Sequence, residues 1–399
     1  MHNMGTREKR LFFIDAMRAW AILMMLQGHF IDALLDPVFS DPANGAFALW
    51  SYFRGITAPV FFTVSGFIFT YLLLGSPNQG LDNPRIRKGI KRGLQLILIG
   101  YLLRTNLFGL FKGEFYPTSY QVDVLHCIGI SLLFIVGVYA LTKARGYRGM
   151  GGLLLGFGVL LFLFEPLYKS WDYSMLPLPL ANYFTRANGS VFTIFPWVGY
   201  AFIGGFLSMA FRALREDRYR YLKSIGASLA AGALLVWASS PVFIWAGSLS
   251  GIPLFDQVAS NNYLFIRLGN VFVVFAVFMA LRGLLQREVF LKIGQNTLAI
   301  YVIHFMVLYG SLLGIGLYRF LHHSLSPSSA IPGALAFMAI STMLALWYDR
   351  NEGLIKAKAT GVALLLKTTG EQALLQAFRL VRVQVLRLLR FLKGAQERI

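Results

Sequence analysis

Long apolar runs separated by short polar stretches set the pattern of this chain. A helix needs roughly 20 apolar residues to cross a bilayer core of about 30 Å. Ten runs meet that measure, near residues 11–35, 47–75, 89–108, 122–141, 150–167, 191–211, 222–246, 263–282, 294–317 and 331–348. The pattern predicts an all-α, polytopic membrane protein of about ten transmembrane helices. It divides the chain into a transmembrane domain, residues 1–350, and a tail, residues 351–399. Within the tail Leu374, Phe378, Val381, Val385, Leu388 and Leu392 repeat at helical spacing. Arg379, Arg382, Arg387, Arg390 and Lys393 fall mainly on the other face. That predicts a C-terminal basic amphipathic helix lying on an anionic membrane surface. No internal repeat is evident, which disfavours a transporter built from inverted repeats.

Composition removes the soluble alternatives. Of 399 residues 56% are hydrophobic and only 14% charged, whereas soluble proteins carry about 25% charged residues. The net charge of +19 invites a nucleic-acid reading, but the positions of the cations argue against one. They gather in alternate short loops: Arg7, Lys9 and Arg10; Arg85, Arg87, Lys88, Lys91 and Arg92; Lys143, Arg145 and Arg148; Arg212, Arg215, Arg218, Arg220 and Lys223; Arg282, Arg287 and Lys292; then the tail. That alternation predicts a multi-pass inner-membrane protein with both termini in the cytoplasm. The expected partner is the lipid bilayer and not nucleic acid. The single cysteine, Cys127, lies in an apolar run, so neither an internal disulfide nor a cysteine zinc site is expected. The first run begins at Leu11 without a small-residue cleavage site and reads as a retained span.

Ionisable residues inside spans are expensive and therefore informative. The first span holds Asp15, Arg18, His29 and Asp32. Arg18 and His29 are eleven residues apart, which puts them on one helix face and about 16 Å apart in depth. One polar stripe then runs through most of the bilayer, with a cation at its inner end and an imidazole deeper. That geometry suits a reaction across the membrane. An acyl-CoA donor would place its phosphates near Arg18 and the loop arginines, and its thioester near His29. Imidazole is the usual general base at neutral pH, and Asp32 is expected to orient it or to stabilise its protonated form.

The stretch from Arg10 through Asp15 and Arg18 to His29 resembles the first span of the transmembrane acyltransferase superfamily. That superfamily comprises the acyltransferase-three enzymes and the heparan-glucosaminide N-acetyltransferase-like proteins. The Asp-x-x-Arg pair and the ten residues between Arg18 and His29 match the acyltransferase-three pattern, with Ala19 where Gly normally stands. Arg54 to Pro59, Val122 to Gly129, Phe195 to Tyr200, Arg267 to Gly269 and Ile293 to His304 look more like the bacterial heparan-acetyltransferase-like branch. The resemblance covers about residues 10–310. It implies an acyl-CoA-dependent enzyme that O- or N-acylates a sugar of an envelope glycan on the outer side, with acetyl-CoA the expected donor and no metal. His29 would serve as general base or transient acyl carrier.

Other candidates take their roles from position. Arg54 opens the second span near the depth of His29, where it would polarise the thioester or bind an anionic acceptor. His304 lies mid-span as a second catalytic or orienting group. Arg87, Arg92, Arg104 and Asn296 join Arg18 as donor-binding candidates, and Asp123, His126 and Tyr301 as acceptor-binding ones. His322 and His323 sit in an outer loop and are weak evidence for metal. No HExxH, GxSxG, P-loop or GxGxxG fingerprint occurs. A homodimer is compatible with the sequence. The main rival is a transporter or flippase for a lipid-linked glycan, whose pathway the same stripe would line.

Overall fold

In hydrocarbon every backbone N–H and C=O must be bonded within its own segment, so apolar runs become helices. The computed structural model describes residues 11–114, 116–142, 149–358 and 360–361. It shows α1 (Phe12–Leu34), α2 (Gly45–Leu74), α3 (Pro84–Arg104), α4 (Val124–Thr142), α5 (Met150–Leu163) and α6 (Ile194–Ala213). Next come α7 (Arg220–Ser250), α8 (Tyr263–Ala280), α9 (Glu288–Gln295), α10 (Thr297–Tyr309) and α11 (Pro327–Lys358). Among the described residues the only extended pairings are two isolated bridges, Leu35 to Leu325 and Asn106 to Leu312. The protein is all-α.

Local chemistry sets the helix starts. Asn44 accepts the N–H groups of Ala46 and Phe47 at the head of α2. Asn83 accepts that of Arg85 ahead of α3, where Pro84 occupies the first turn. Both are N-caps that satisfy otherwise orphaned donors.

A helix lies at each of the ten expected runs, but they are not alike. Among the described residues six are long and apolar enough to cross a membrane singly, and up to seven if α9 and α10, bent by 70°, form one span. The α1 helix falls short because Asp15, Arg18, Gln27 and His29 interrupt it, and α3 because its first turns carry five cations. With 14 residues, α5 is short. The run expected as one span at 294–317 is broken at Asn296 and again at Gly310, whose φ is +71°. The amphipathic stretch 374–393 lies outside the described residues. Contacts divide the chain into residues 1–345 and 346–399, and the polar stripe of α1 belongs to the first unit.

Within that unit α1 packs against α2, α8, α9 and α10. Its Phe13, Met17 and Ala21 meet Val60, Phe67, Phe211 and Phe275 in one core, with the rings of Phe67 and Phe275 5.6 Å apart. Small residues let backbones approach, as membrane helix packing favours. A Cβ on Gly66 of α2 would fall 1.9 Å from the Ala201 carbonyl oxygen of α6, and one on Gly204 would fall 1.9 Å from that of Thr63. Likewise a Cβ on Gly294 of α9 would sit 2.0 Å from the Asp15 carbonyl oxygen. That contact seats the α9–α10 break beside the polar stripe of α1. By contrast α7 exposes Leu229, Leu234, Trp237, Ile244 and Trp245, side chains suited to lipid.

Candidate active site

The polar stripe of α1 meets the α9–α10 pair at both ends. At one end Arg18 donates from Nη2 to Thr297 Oγ1 at 2.8 Å, and its Nη1 lies 4.0 Å from Asp15. Thr297 opens α10 directly after the break, so the bend itself carries the partner to Arg18. Asn296 donates from Nδ2 to the Lys292 carbonyl at 3.1 Å, closing α9. Its amide therefore shapes the break. Arg92 lies within electrostatic reach of Arg18, while its Nη1 donates only to Gln95, at 3.3 Å. Arg87 is exposed on the first turns of α3.

Eleven residues along α1, His29 Nδ1 lies 3.1 Å from Nε2 of His304 on α10. The rings are tilted, with centroids 5.2 Å apart. One nitrogen donates and the other accepts, so in the neutral pair the tautomer of one ring fixes that of the other. His304 is fully buried and His29 half-buried, which leaves His29 the accessible member. Tyr309 stands beside it, ring centroids 6.2 Å away.

Asp32 takes a different partner from the one expected. It pairs with Arg54 of α2, and its expected place beside His29 is taken by His304. Gly28 makes room for that pair, since a Cβ there would lie 3.3 Å from the Arg54 side chain. Arg104 is likewise found away from Arg18. It ends α3 and donates to Asp123 Oδ2 at 3.1 Å and to Gln121 Oε1 at 2.6 Å. Its guanidinium carbon also lies 5.9 Å from the Phe305 ring centre. The reason is the direction of α3: its loop cations start the helix, and Arg104 is its last residue.

Asp123, Arg104 and Arg54 are all within electrostatic reach of His29. Tyr301 is buried within electrostatic reach of Asp123, and its hydroxyl has no hydrogen-bond partner among the described residues. His126 is fully buried, its Nδ1 accepts the Asp123 N–H at 3.0 Å, its ring lies edge-on to Tyr101, and its Nε2 has no hydrogen-bond partner among the described residues.

The structure thus gathers His29, His304, Arg54, Asp32, Arg104, Asp123 and Tyr301 toward one end, with Arg18 and Asn296 at the other. Thr297, Gln121 and Tyr309 were not singled out from the sequence. Thr297 adjoins Asn296, a signal within reach; an uncharged Gln and a second Tyr carried none. Among the described residues no three His, Cys, Asp or Glu come together as a metal site requires.

An apolar groove of about 1060 Å³ also runs along α1, lined by Ala16, Trp20, Met24, Gln27 and Ile31 with residues of α2 and α11. At 100° per residue those positions face away from Arg18 and His29. The groove is separated from the stripe by the helix itself. A family model described as an acyltransferase domain matches residues 11–350. Comparison with curated proteins gives no match.

Proposed function

Because the chain belongs to the acyltransferase family matched over residues 11–350, and is a membrane acyltransferase, we propose a specific reaction for it. An acyl-CoA, acetyl-CoA first among them, docks its phosphates at the Arg18 end. Its thioester reaches His29, and the acyl group passes to a sugar hydroxyl or amino group of an envelope glycan at the opposite face. The protein sits in the inner membrane with residues 1–10 and 350–399 on the cytoplasmic side. Family membership favours this over the carrier reading, which supplies no use for a base.

The observation that carries the proposal is the His29–His304 contact at one end of a stripe whose other end is Arg18. If His29 Nδ1–H donates to His304 Nε2, the free Nε2 of His29 is the base. It takes the proton from the acceptor O–H or N–H as that oxygen or nitrogen attacks the thioester carbonyl carbon. The tetrahedral intermediate collapses, the C–S bond breaks, and the departing CoA thiolate receives the proton from the imidazolium. His304 strengthens its bond to His29 when His29 is charged, the orienting role that a third group plays beside many catalytic bases. Arg54 would stabilise the developing oxyanion, and Arg104 with Asp123 would hold the acceptor.

For the donor, Arg18 binds Thr297 through one Nη while the other lies 4.0 Å from Asp15, too long for a hydrogen bond, and Arg92 lies near. A guanidinium so held keeps N–H groups for phosphate. Arg87, Arg85, Lys88 and Lys91 add cationic potential at the same helix start.

Purified protein given acetyl-CoA labelled in the acetyl group, with a panel of monosaccharides, tests this reading. The expectation is acceptor-dependent release of CoA thiol and a labelled sugar, both lost in His29→Gln. Equal thiol release by the parent and by a well-folded His29→Gln would overturn it.

A further inference from the structure

A second polar hollow lies beside Arg54, lined by none of the groups that perform the transfer. It has a volume of about 570 Å³, within the range of about 300–1,000 Å³ common for small-molecule sites. Its wall is built by the start of α2 (Ser51, Tyr52, Gly55) and by the start of α8 with the turn before it (Asn262, Arg267, Asn270). Amides, hydroxyls and a cation make up much of that wall.

Arg267 is the key residue. Its guanidinium rests against Gly55, where a Cβ would stand 3.2 Å from Nη2. On its other side it lies 5.2 Å from the centre of the Tyr263 ring. Among the described residues no carboxylate lies within 4.0 Å of it. Glu165, which accepts from Tyr263 Oη, is already paired with Lys169 at 3.1 Å. A half-buried guanidinium without an acid is an open position for an anion.

Two amides in the same wall are also incomplete. Asn270 Oδ1 accepts from Tyr52 Oη at 2.9 Å, leaving Nδ2 buried without a partner. Asn262 donates to Ser239 and Ser240, leaving Oδ1 without one. Either amide, turned over, would still keep one unsatisfied polar atom. Both orphaned atoms lie beneath the surface of the wall, and the polar side chains that face the hollow include Arg267, Ser51, Tyr52 and Asn261.

We propose that this hollow is an acceptor subsite for a sugar carrying an acidic group, a carboxylate or a phosphate. Arg267 would take the charge, and Ser51, Tyr52 and Asn261 the ring hydroxyls. Arg54, next in sequence to Gly55 and within electrostatic reach of Arg267, joins the hollow to the His29 end. The inference rests on the acyl-transfer reading for its purpose, but the binding itself involves no thioester.

The test uses the purified full chain in detergent without any acyl donor, and ligand-observed NMR to rank four probes: glucose, glucuronic acid, glucose 1-phosphate and inorganic phosphate. One or both acidic sugars should bind at least about tenfold more tightly than glucose, a difference of about 1.4 kcal/mol, and more tightly than inorganic phosphate. Which acidic sugar leads identifies the anionic group. Arg267→Gln should reduce the acidic sugars to the level of glucose while unfolding at the parent's temperature, and Arg267→Lys should restore part of the preference. Equal binding of all sugars, no binding, inorganic phosphate matching the acidic sugars, or an unchanged preference in Arg267→Gln would each overturn the proposal. Because no acyl donor is present, a failure of the His29 chemistry leaves this result untouched, and the reverse holds too.

Discussion

His29 and His304 share one hydrogen bond and differ in burial. In the proposed reaction the half-buried ring is the one that meets substrate and the buried ring holds it. His29→Gln keeps size and hydrogen bonding but cannot take a proton, so acyl transfer should fall by about 10²–10⁴-fold. His304→Ala frees the base without removing it, and a misplaced base commonly costs about 10²-fold. Both are read as acceptor-dependent thiol release, with thermal unfolding as the control for folding. Arg18 belongs to the same scale but another step. Arg18→Ala should weaken CoA binding, measured by titration of the purified protein, well beyond the effect of Thr297→Val, which removes only the anchor. Full CoA affinity in Arg18→Ala would move the donor site elsewhere. The Arg18–His29 relation was legible in the sequence because both residues ride one helix, whose geometry is known in advance. The partner of His29 was not, because a separation of 275 positions from His304 carries no periodic signal of their meeting.

At the scale of elements the break between α9 and α10 decides the site. It delivers Thr297 to Arg18 and, two turns later, His304 to His29. The apolar residues of 294–317 run on without a charge and predict one continuous span. What breaks it is local: Asn296 caps α9, and Gly294 must lie flat on α1. A larger residue at 294 cannot keep that contact, because the atom it meets is backbone. Gly294→Val should destabilise the protein by about 1–3 kcal/mol, the usual range for overpacking, and should lower CoA affinity together with the rate. Unfolding and CoA titration on the one variant check both; a destabilised protein with intact donor affinity would uncouple the break from the site. Arg104 teaches a related lesson. Its residue type suggested phosphate, but the direction of α3 carries it to Asp123, and direction emerges only when helices are placed in order.

For the whole molecule, the proposed reaction needs the two ends of α1 to face different compartments. The alternating basic loops predict that orientation, and the Ile194–Ala213 helix lets it be checked locally. In a Cys127→Ala background, a membrane-impermeant maleimide should label Ser174→Cys from outside intact cells and Glu216→Cys only after permeabilisation. The reverse pattern would invert the whole assignment of donor and acceptor faces. Transfer across the bilayer along the α1 stripe can be tested in sealed vesicles. Proteoliposomes are made with the protein oriented uniformly, a sugar acceptor sealed inside and labelled acetyl-CoA added outside to the Arg18 face. The account predicts acetylated sugar in the lumen, free CoA outside and neither product in His29→Gln vesicles. Product that forms only when donor and acceptor share one compartment would contradict it.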